Sequence, residues 1–308
     1  MTVRDRTVAS DGVVTLTLAR PDGARLPDWA PGAHIDLLLA NGATRQYSLC
    51  GDRWDAHTYR VGVLREPGGR GGSAYVHDAL TPGELVGLGG PRNNFAMVPS
   101  PRYLFVAGGI GITPLLPMIR QAELVGADWS LLYGGRTRTS MAFRDELARY
   151  GDRVRVVPQD EEGLLDLDAA LGAPSSDTVA YCCGPAPLLD ALARASADWE
   201  PDRVRTERFT AVEQGPPQRA QPFQVELART GTTVTVTPAD TVLAAARRAG
   251  ASTLSSCRQG TCGTCETTVL DGVPDHRDSI LGDAERTEGD AMFPCVSRSV
   301  GDRLVLDL

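Results

Sequence analysis

Residues 255–268 read SSCRQGTCGTCETT, placing Cys257, Cys262 and Cys265 within nine residues, and Cys295 follows in FPCVSR. A disulfide framework, a tetrahedral zinc site and a plant-type [2Fe-2S] cluster are the three uses of such a quartet. The spacing C-x4-C-x2-C-x29-C matches the plant-type cluster pattern, in which four thiolates hold two irons. Zinc sites more often come as two C-x2-C-like pairs on separate knuckles, and only one such pair is present. Gly260 and Gly263 let the backbone bend closely around a cluster and aim N–H groups at its sulfides.

Composition sets the context. The chain has 308 residues and a net charge of -8, long enough for two or three domains, each with its own core. Its seven cysteines are an odd number, which fits a reducing compartment better than a disulfide scaffold. The opening MTVRDRTVAS lacks an apolar signal segment, so a soluble cytoplasmic protein is expected. The longest uncharged run, residues 103–119, is interrupted by glycine and proline and is too short to span a membrane. All 31 basic residues are arginine, which removes P-loop and Schiff-base lysines from consideration. The acidic balance argues against a general nucleic-acid binder.

Upstream of the quartet the sequence changes rhythm twice. Residues 1–100 alternate β-rich runs (GVVTLTLAR, HIDLLLA, TYRVGVLRE) with Gly/Pro turns, the pattern of a small antiparallel barrel. Residues 101–210 alternate strand and helix, from RYLFVAGGIGITPLLPMIRQAEL through AFRDELARY to TVAYCCG and APLLDALARAS, predicting a parallel sheet with helices on its faces. Residues 211–222, AVEQGPPQRAQP, read as a linker. Residues 223–308 predict a hairpin, a short helix, the cysteine loop and a final strand, DRLVLDL.

Further motifs follow this organisation. GGIGITP, Gly108–Pro114, follows an apolar strand and opens a helix, so its backbone can receive a pyrophosphate; taken alone, a tight strand–helix turn explains it as well. RQYSL, Arg45–Leu49, sets a cation, a ring and a hydroxyl on one strand, as a flavin and its phosphate require; taken alone these are ordinary surface residues. GGRGGS, Gly68–Ser73, reads equally as a phosphate nest or a flexible loop. YCCGP ends a strand at the edge where α/β sheets hold ligands, with Cys182 and Cys50 read as core thiols and Cys183 as facing the crevice. The four histidines are scattered, which argues against a histidine metal site.

Taken in order, these motifs resemble the phthalate dioxygenase reductase family, which includes vanillate demethylase reductases and P450-linked reductases. The resemblance covers nearly the whole chain. It implies a multidomain protein: a flavin-binding β-barrel domain (1–100), an α/β parallel-sheet NAD(P)-binding domain (101–210), the linker, and a C-terminal β-grasp ferredoxin domain (223–308). It further implies that Arg45 binds the flavin phosphate, Tyr47 packs on the ring, Ser48 bonds near N5, and Leu49, Val63 and Leu64 contribute to the flavin site. Gly71, Gly72, Ser73 and Ala74 would hold the phosphate, and the compact glycine loop suggests FMN rather than FAD. Gly109, Gly111 and Pro114 would receive the dinucleotide pyrophosphate, with Cys183 and Gly184 beside the nicotinamide and Thr113 touching both cofactors. Ser48, Thr113 and Cys183 are the candidate catalytic residues, and Phe209 would cover the flavin. Cys257, Cys262, Cys265 and Cys295 would ligate the cluster.

The implied activity is electron transfer from NADH, with NADPH as the alternative, through FMN and a [2Fe-2S] cluster to a separate oxygenase of the Rieske or cytochrome P450 type. A flavin is needed because the nicotinamide gives two electrons and the cluster takes one at a time. The rival readings are direct reduction of a small acceptor and a non-enzymatic iron-sulfur redox sensor. Arg136 and Arg138 after LLYGG leave the dinucleotide choice open, since arginines there also suit a 2'-phosphate. Between Pro222 and Leu308 stand 12 acidic and 8 basic residues, so docking of the ferredoxin domain through an acidic face is expected.

Overall fold

Val13–Ala19 shows how the alternating pattern is used. Val14, Leu16 and Leu18 point into one apolar core, whereas Val13 joins a second core on the other side of the strand. A computed structural model describes residues 1–308. Strands β1 (Thr2–Ser10), β2 (Val13–Ala19), β3 (His34–Leu38), β4 (Thr44–Ser48), β5 (Thr58–Leu64) and β6 (Gly87–Arg92) form two three-stranded antiparallel sheets, ordered β1-β2-β5 and β4-β3-β6. Bridges Leu49–Val61 and Thr2–Leu85 join the sheets at both seams, so no long edge is left unpaired. Helix α1 (Gly72–Asp78) follows the glycine loop.

The next lobe is a five-stranded, all-parallel sheet. It contains β7 (Arg102–Gly108), β8 (Asp128–Gly135), β9 (Val154–Pro158), β10 (Thr178–Cys183) and β11 (Val204–Glu207) in the order β11-β10-β7-β8-β9. Tyr103, Phe105 and Ala107 pack on one face with helix α2 (Ile112–Val125), and Leu104 and Val106 pack on the other with Leu189 and Leu192. Both faces of a parallel sheet are buried this way. The chain moves outward from β7 through β8 to β9, then returns to place β10 on β7's other side. The topological switch therefore lies between the carboxyl ends of β7 and β10, where such sheets bind ligands.

Several local expectations change. AFRDELARY is α-helical only over α3 (Arg144–Leu147), because Phe143 takes a left-handed φ of 63° and a 3-10 segment occupies Ala148–Arg153. Short helices α4 (Gln159–Glu162) and α5 (Leu167–Leu171) lie in a stretch with no helix expected, and β11 adds an edge strand. Helix α6 (Ala186–Ala195) follows YCCGP as expected.

The chain divides into two units, Met1–Phe209 and Thr210–Leu308. In the second, β12 (Phe223–Leu227), β13 (Thr232–Val236), β14 (Thr267–Asp271), β16 (Ala291–Met292) and β18 (Arg303–Leu306) form the sheet β13-β12-β18-β14-β16; β15 (Pro274–Asp275) pairs with β17 (Arg298–Ser299). The last strand lies centrally, parallel to β12, and helix α7 (Val242–Arg248) packs its Val242, Ala245 and Ala246 on the sheet, a β-grasp arrangement. Residues 211–222 are irregular yet are bonded to this unit. The Val212 N–H donates to Ser279 Oγ (3.0 Å), the Gln218 N–H to Asp275 Oδ2 (3.1 Å), and the Arg277 guanidinium to the Gly215 carbonyl.

Candidate functional site

Strand β4 and helix α1 build the first part of the site. The Arg45 guanidinium donates to the Thr44 and Arg70 carbonyls, both at 2.8 Å, and lies directly over Gly72: a Cβ there would stand 2.6 Å from Arg45 Nε. Glycine at 72 is thus a steric requirement of bringing the cation down onto the start of α1. Ser73 Oγ accepts from the Glu66 N–H at 3.0 Å, leaving its own proton for a phosphate oxygen. Tyr47 is half-buried, and burial pushes its phenol up to about 12. Ser48 Oγ is buried with no hydrogen-bond partner. A buried hydroxyl left unpaired costs free energy, so this atom signals a missing polar group, as a flavin ring nitrogen or oxygen would supply.

The Leu49 and Val63 side chains are fully buried in the barrel core, and the Val63 carbonyl already pairs with His77 Nε2 at 2.9 Å. Leu64 is only partly buried and packs on the core of the nucleotide lobe. Ala74 sits partly buried within α1.

At the switch point the glycine turn and the CGP strand end are pressed together. A Cβ on Gly111 would fall 2.1 Å from the Cys183 carbonyl oxygen, and one on Gly184 would fall 3.0 Å from Gly108 Cα. Gly111 therefore serves the packing of turn against strand. Gly109, at φ 55°, has nothing within 4 Å of its would-be Cβ, so its backbone is open to a ligand. Pro114 is buried inside the first turn of α2 and, lacking an N–H, donates nothing to a pyrophosphate. Thr113 Oγ1 donates to the Ile110 carbonyl at 2.9 Å, and its methyl faces Gly62 of β5.

Cys182 and Cys183 are both fully buried, as is Cys50. Cys183 Sγ lies 3.8 Å from Glu207 Oε2, a contact fixed by the parallel register that sets Cys183 opposite Glu207. Burial raises Glu207 to about 8 and, with Glu207 beside it, holds the Cys183 thiol well above its ordinary value. Glu207 is a site residue that the sequence reading missed, because β11 itself went unrecognised. Two residues on, Phe209 is 44% exposed.

The second unit gathers the four thiols of the opening motif, all buried. Cys257 contacts the sulfurs of both Cys262 and Cys295, and Cys265 contacts that of Cys295. These contacts lower Cys257 and Cys265 while raising Cys262 and Cys295: four sulfurs this close share protons, which bound metal replaces. They form a string of contacts, and no three His, Cys, Asp or Glu side chains converge as a single-ion site requires. The backbone supports charge on sulfur. The Gln259 and Thr261 N–H groups point at Cys257 Sγ at 3.3 and 3.5 Å, the Cys257 N–H at Cys262 Sγ at 3.5 Å, and Thr264 Oγ1 lies 3.1 Å from Cys262 Sγ. Donor set and surrounding amides both fit an iron-sulfur cluster.

Comparison with known proteins agrees with this construction. The family model for an oxidoreductase NAD-binding domain matches residues 105–194, and that for a 2Fe-2S iron-sulfur cluster binding domain matches residues 225–300. The phenoxybenzoate dioxygenase subunit beta of Ectopseudomonas oleovorans is 45% identical over 97% of this chain and 94% of its own. An intact type IV self-sufficient cytochrome P450 monooxygenase superposes with a TM-score of 0.94 at 44% identity; this chain is covered completely but spans only 40% of that one. Phthalate dioxygenase reductase, described as a modular structure for electron transfer from pyridine nucleotides to [2Fe-2S], superposes with a TM-score of 0.73 at 33% identity, covering 100% of this chain and 97% of that one. Fold and sites define an NAD(P)H-dependent oxidoreductase with an iron-sulfur domain. The chain belongs to the phthalate dioxygenase reductase family. No helix is long and apolar enough to cross a membrane.

Proposed function

We propose that this protein passes electrons from NADH through FMN and a [2Fe-2S] cluster to a separate terminal oxygenase, of the Rieske or cytochrome P450 type. The observation that carries the reading is the unpaired, buried Ser48 hydroxyl beside Arg45 and Tyr47, in the same chain as four thiols joined in a string of sulfur contacts. When bound, the flavin supplies the conversion from a two-electron donor to a one-electron acceptor. Arg45, with the open N–H groups around Gly71, Gly72, Ser73 and Ala74, holds a phosphate. Tyr47 offers a flat apolar wall, and Ser48 donates to the ring. The Gly109 backbone receives the pyrophosphate, while Thr113, Cys183 and Gly184 bound the nicotinamide and exclude water. Phe209, exposed at the end of β11, is free to cover a flat ring. Cys257, Cys262, Cys265 and Cys295 hold the cluster.

Two choices rest on particular contacts. The loop before α1 is short, which suits FMN. Arg138 is already paired with Glu161 at 2.5 Å, so a 2'-phosphate would meet a carboxylate there, and this supports NADH over NADPH. The three cysteines outside the quartet, Cys50, Cys182 and Cys183, are unpaired, which supports a reducing, cytoplasmic setting. Anaerobic titration of the purified protein with NADH tests the reading: flavin and cluster absorbance should both bleach. Protein purified anaerobically after full iron supply, yet lacking iron and acid-labile sulfide, refutes it.

A further inference from the structure

Phe143 is one of two non-glycine residues with a positive φ, a strained backbone that persists only where its surroundings impose it. The strain has a clear consequence: it turns the ring away from α3 and against the barrel. A Cβ built on Gly62 of β5 would meet the Phe143 ring at 3.2 Å and the Thr113 methyl at 2.9 Å. Two side chains of the nucleotide lobe therefore occupy the space that any side chain at position 62 would take. Gly62 stands beside Val61, which bridges to Leu49, the residue after Ser48.

An ion triad closes over this contact. Arg60, also on β5, donates to Glu146 Oε1 and stacks its guanidinium 4.9 Å from the Phe143 ring centre. Arg120 on α2 donates to Glu146 Oε2 at 2.9 Å and, through its other nitrogen, to the Cys50 and Gly51 carbonyls at 3.1 and 2.6 Å. The Cys50 N–H returns to the Arg60 carbonyl at 2.9 Å. The result is a closed ring of bonds running β5, α3, α2, the segment after Ser48, and β5 again. Glu146 is the sole carboxylate in it, and the two arginines hold it below its ordinary value against burial.

We propose that the Arg60–Glu146–Arg120 triad and Phe143 are positioning residues for hydride transfer: they fix the separation between the nicotinamide crevice and the Arg45–Ser48 strand. The proposal rests on the function proposed above. Thr113 heads α2 immediately after the glycine turn, so its seating on Gly62 sets how far that turn stands from the barrel. Half-buried ion groups contribute little net stability, whereas geometry at the reacting atoms is steep: a 1 Å misplacement costs about 10²-fold in rate.

The test compares the holoenzyme with Phe143→Leu, Phe143→Gly, Glu146→Gln and Glu146→Asp variants in anaerobic stopped-flow reduction by NADH and by NADH deuterated at C4. Phe143→Leu, Phe143→Gly and Glu146→Gln should each slow flavin reduction at least about tenfold, with a larger isotope effect, a weaker long-wavelength charge-transfer band and little change in apparent NADH affinity. Glu146→Asp, which keeps the charge, should restore part of the rate. In the holoenzyme, exchange of the Cys50 amide should accelerate in Glu146→Gln. Should Glu146→Gln fail to fold, Phe143→Gly remains decisive because glycine relieves the backbone strain while removing the wedge. Folded variants with unchanged rate and isotope effect overturn the proposal, whatever happens to their melting temperature. A wild-type protein whose flavin NADH does not reduce overturns the functional reading itself, and the proposal with it.

Discussion

Replacing Gly111 by alanine tests the crevice at its tightest point. The added Cβ would lie 2.1 Å from the Cys183 carbonyl oxygen, 2.4 Å from its carbon and 2.8 Å from the Gly184 nitrogen. All three are backbone atoms, so no side chain can swing aside. Restoring ordinary contact requires turn and strand to separate by about 1 Å. Overpacking of this kind costs about 1–3 kcal/mol, which at about 2–4 °C per kcal/mol for a unit of this size predicts a melting point lower by about 2–12 °C. The same 1 Å displaces the nicotinamide site relative to the barrel, so hydride transfer should slow by about 10²-fold, or about 2.7 kcal/mol of barrel-to-crevice geometry. Gly109→Ala makes the contrast. Nothing in the protein lies within 4 Å of its Cβ, so its cost to stability is the left-handed strain of about 1–2 kcal/mol with no displacement of Cys183, and its effect on the reaction should fall on NADH affinity, since its backbone is the one that receives the pyrophosphate. Stopped-flow flavin reduction and thermal unfolding of both variants separate the effects. A Gly111→Ala protein that reduces flavin at the wild-type rate refutes the assignment of the β7–β10 switch point as the nicotinamide site.

Ser48→Ala should act in opposite directions: it removes an unsatisfied buried hydroxyl worth about 1–3 kcal/mol of apoprotein stability, so unfolding of the apoprotein should shift upward while flavin reduction slows. Cys295→Ser should sharply reduce transfer to one-electron acceptors and leave hydride transfer to flavin intact, measured as cytochrome reduction against flavin bleaching. Glu207 keeps its proton in the fold up to about pH 8 but loses it near 4.5 when unfolded; the native state binds more protons across that window, so stability falls as pH rises through it. Glu207→Gln should flatten the decline between about pH 4.5 and 8 relative to wild type, and parallel profiles count against a raised Glu207. Glu161→Gln should free Arg138 and narrow the preference for NADH, read as the ratio of kcat/KM for the two dinucleotides; an unchanged ratio removes Glu161 from donor choice.

The parts of this protein that were legible in its sequence are those whose chemistry is local. The cysteine quartet lies mostly on one loop, and its spacing alone names the chemistry. GGIGITP and YCCGP each mark the end of one strand. What was not legible depends on register between distant segments. Cys183 meets Glu207 because β10 and β11 pair in parallel, and nothing in RVRTERF announces a partner 24 residues upstream. The Arg60–Glu146–Arg120 triad joins three segments, Arg60 and Glu146 being 86 residues apart, and the strain signal beside it, a phenylalanine in left-handed geometry, goes against the residue's own preference. Leu49 and Val63 show a related limit: adjacency to a motif says nothing about which side of the barrel wall a side chain takes, and both of these are buried in its core.

Charge shows the same limit most clearly. The acidic surplus of residues 222–308 suggests an acidic docking face, yet six of the twelve carboxylates, Glu226, Asp240, Asp271, Asp275, Asp278 and Asp307, are ion-paired with arginine. Those without such a pair include Glu266 and a run from α8 (Asp283–Glu288) to Asp290. The cluster loop carries only Arg258 between Arg248 and Glu266, with Arg247 bound to the Thr253 carbonyl and Ser255 Oγ on either side of exposed Leu254. The surface field is therefore set by a few unpaired groups, basic along the loop and acidic on α8, and a partner steered by it must match that division. Net charge sums over groups that the fold has already neutralised, so it carries less information about docking than the position of any one of these residues.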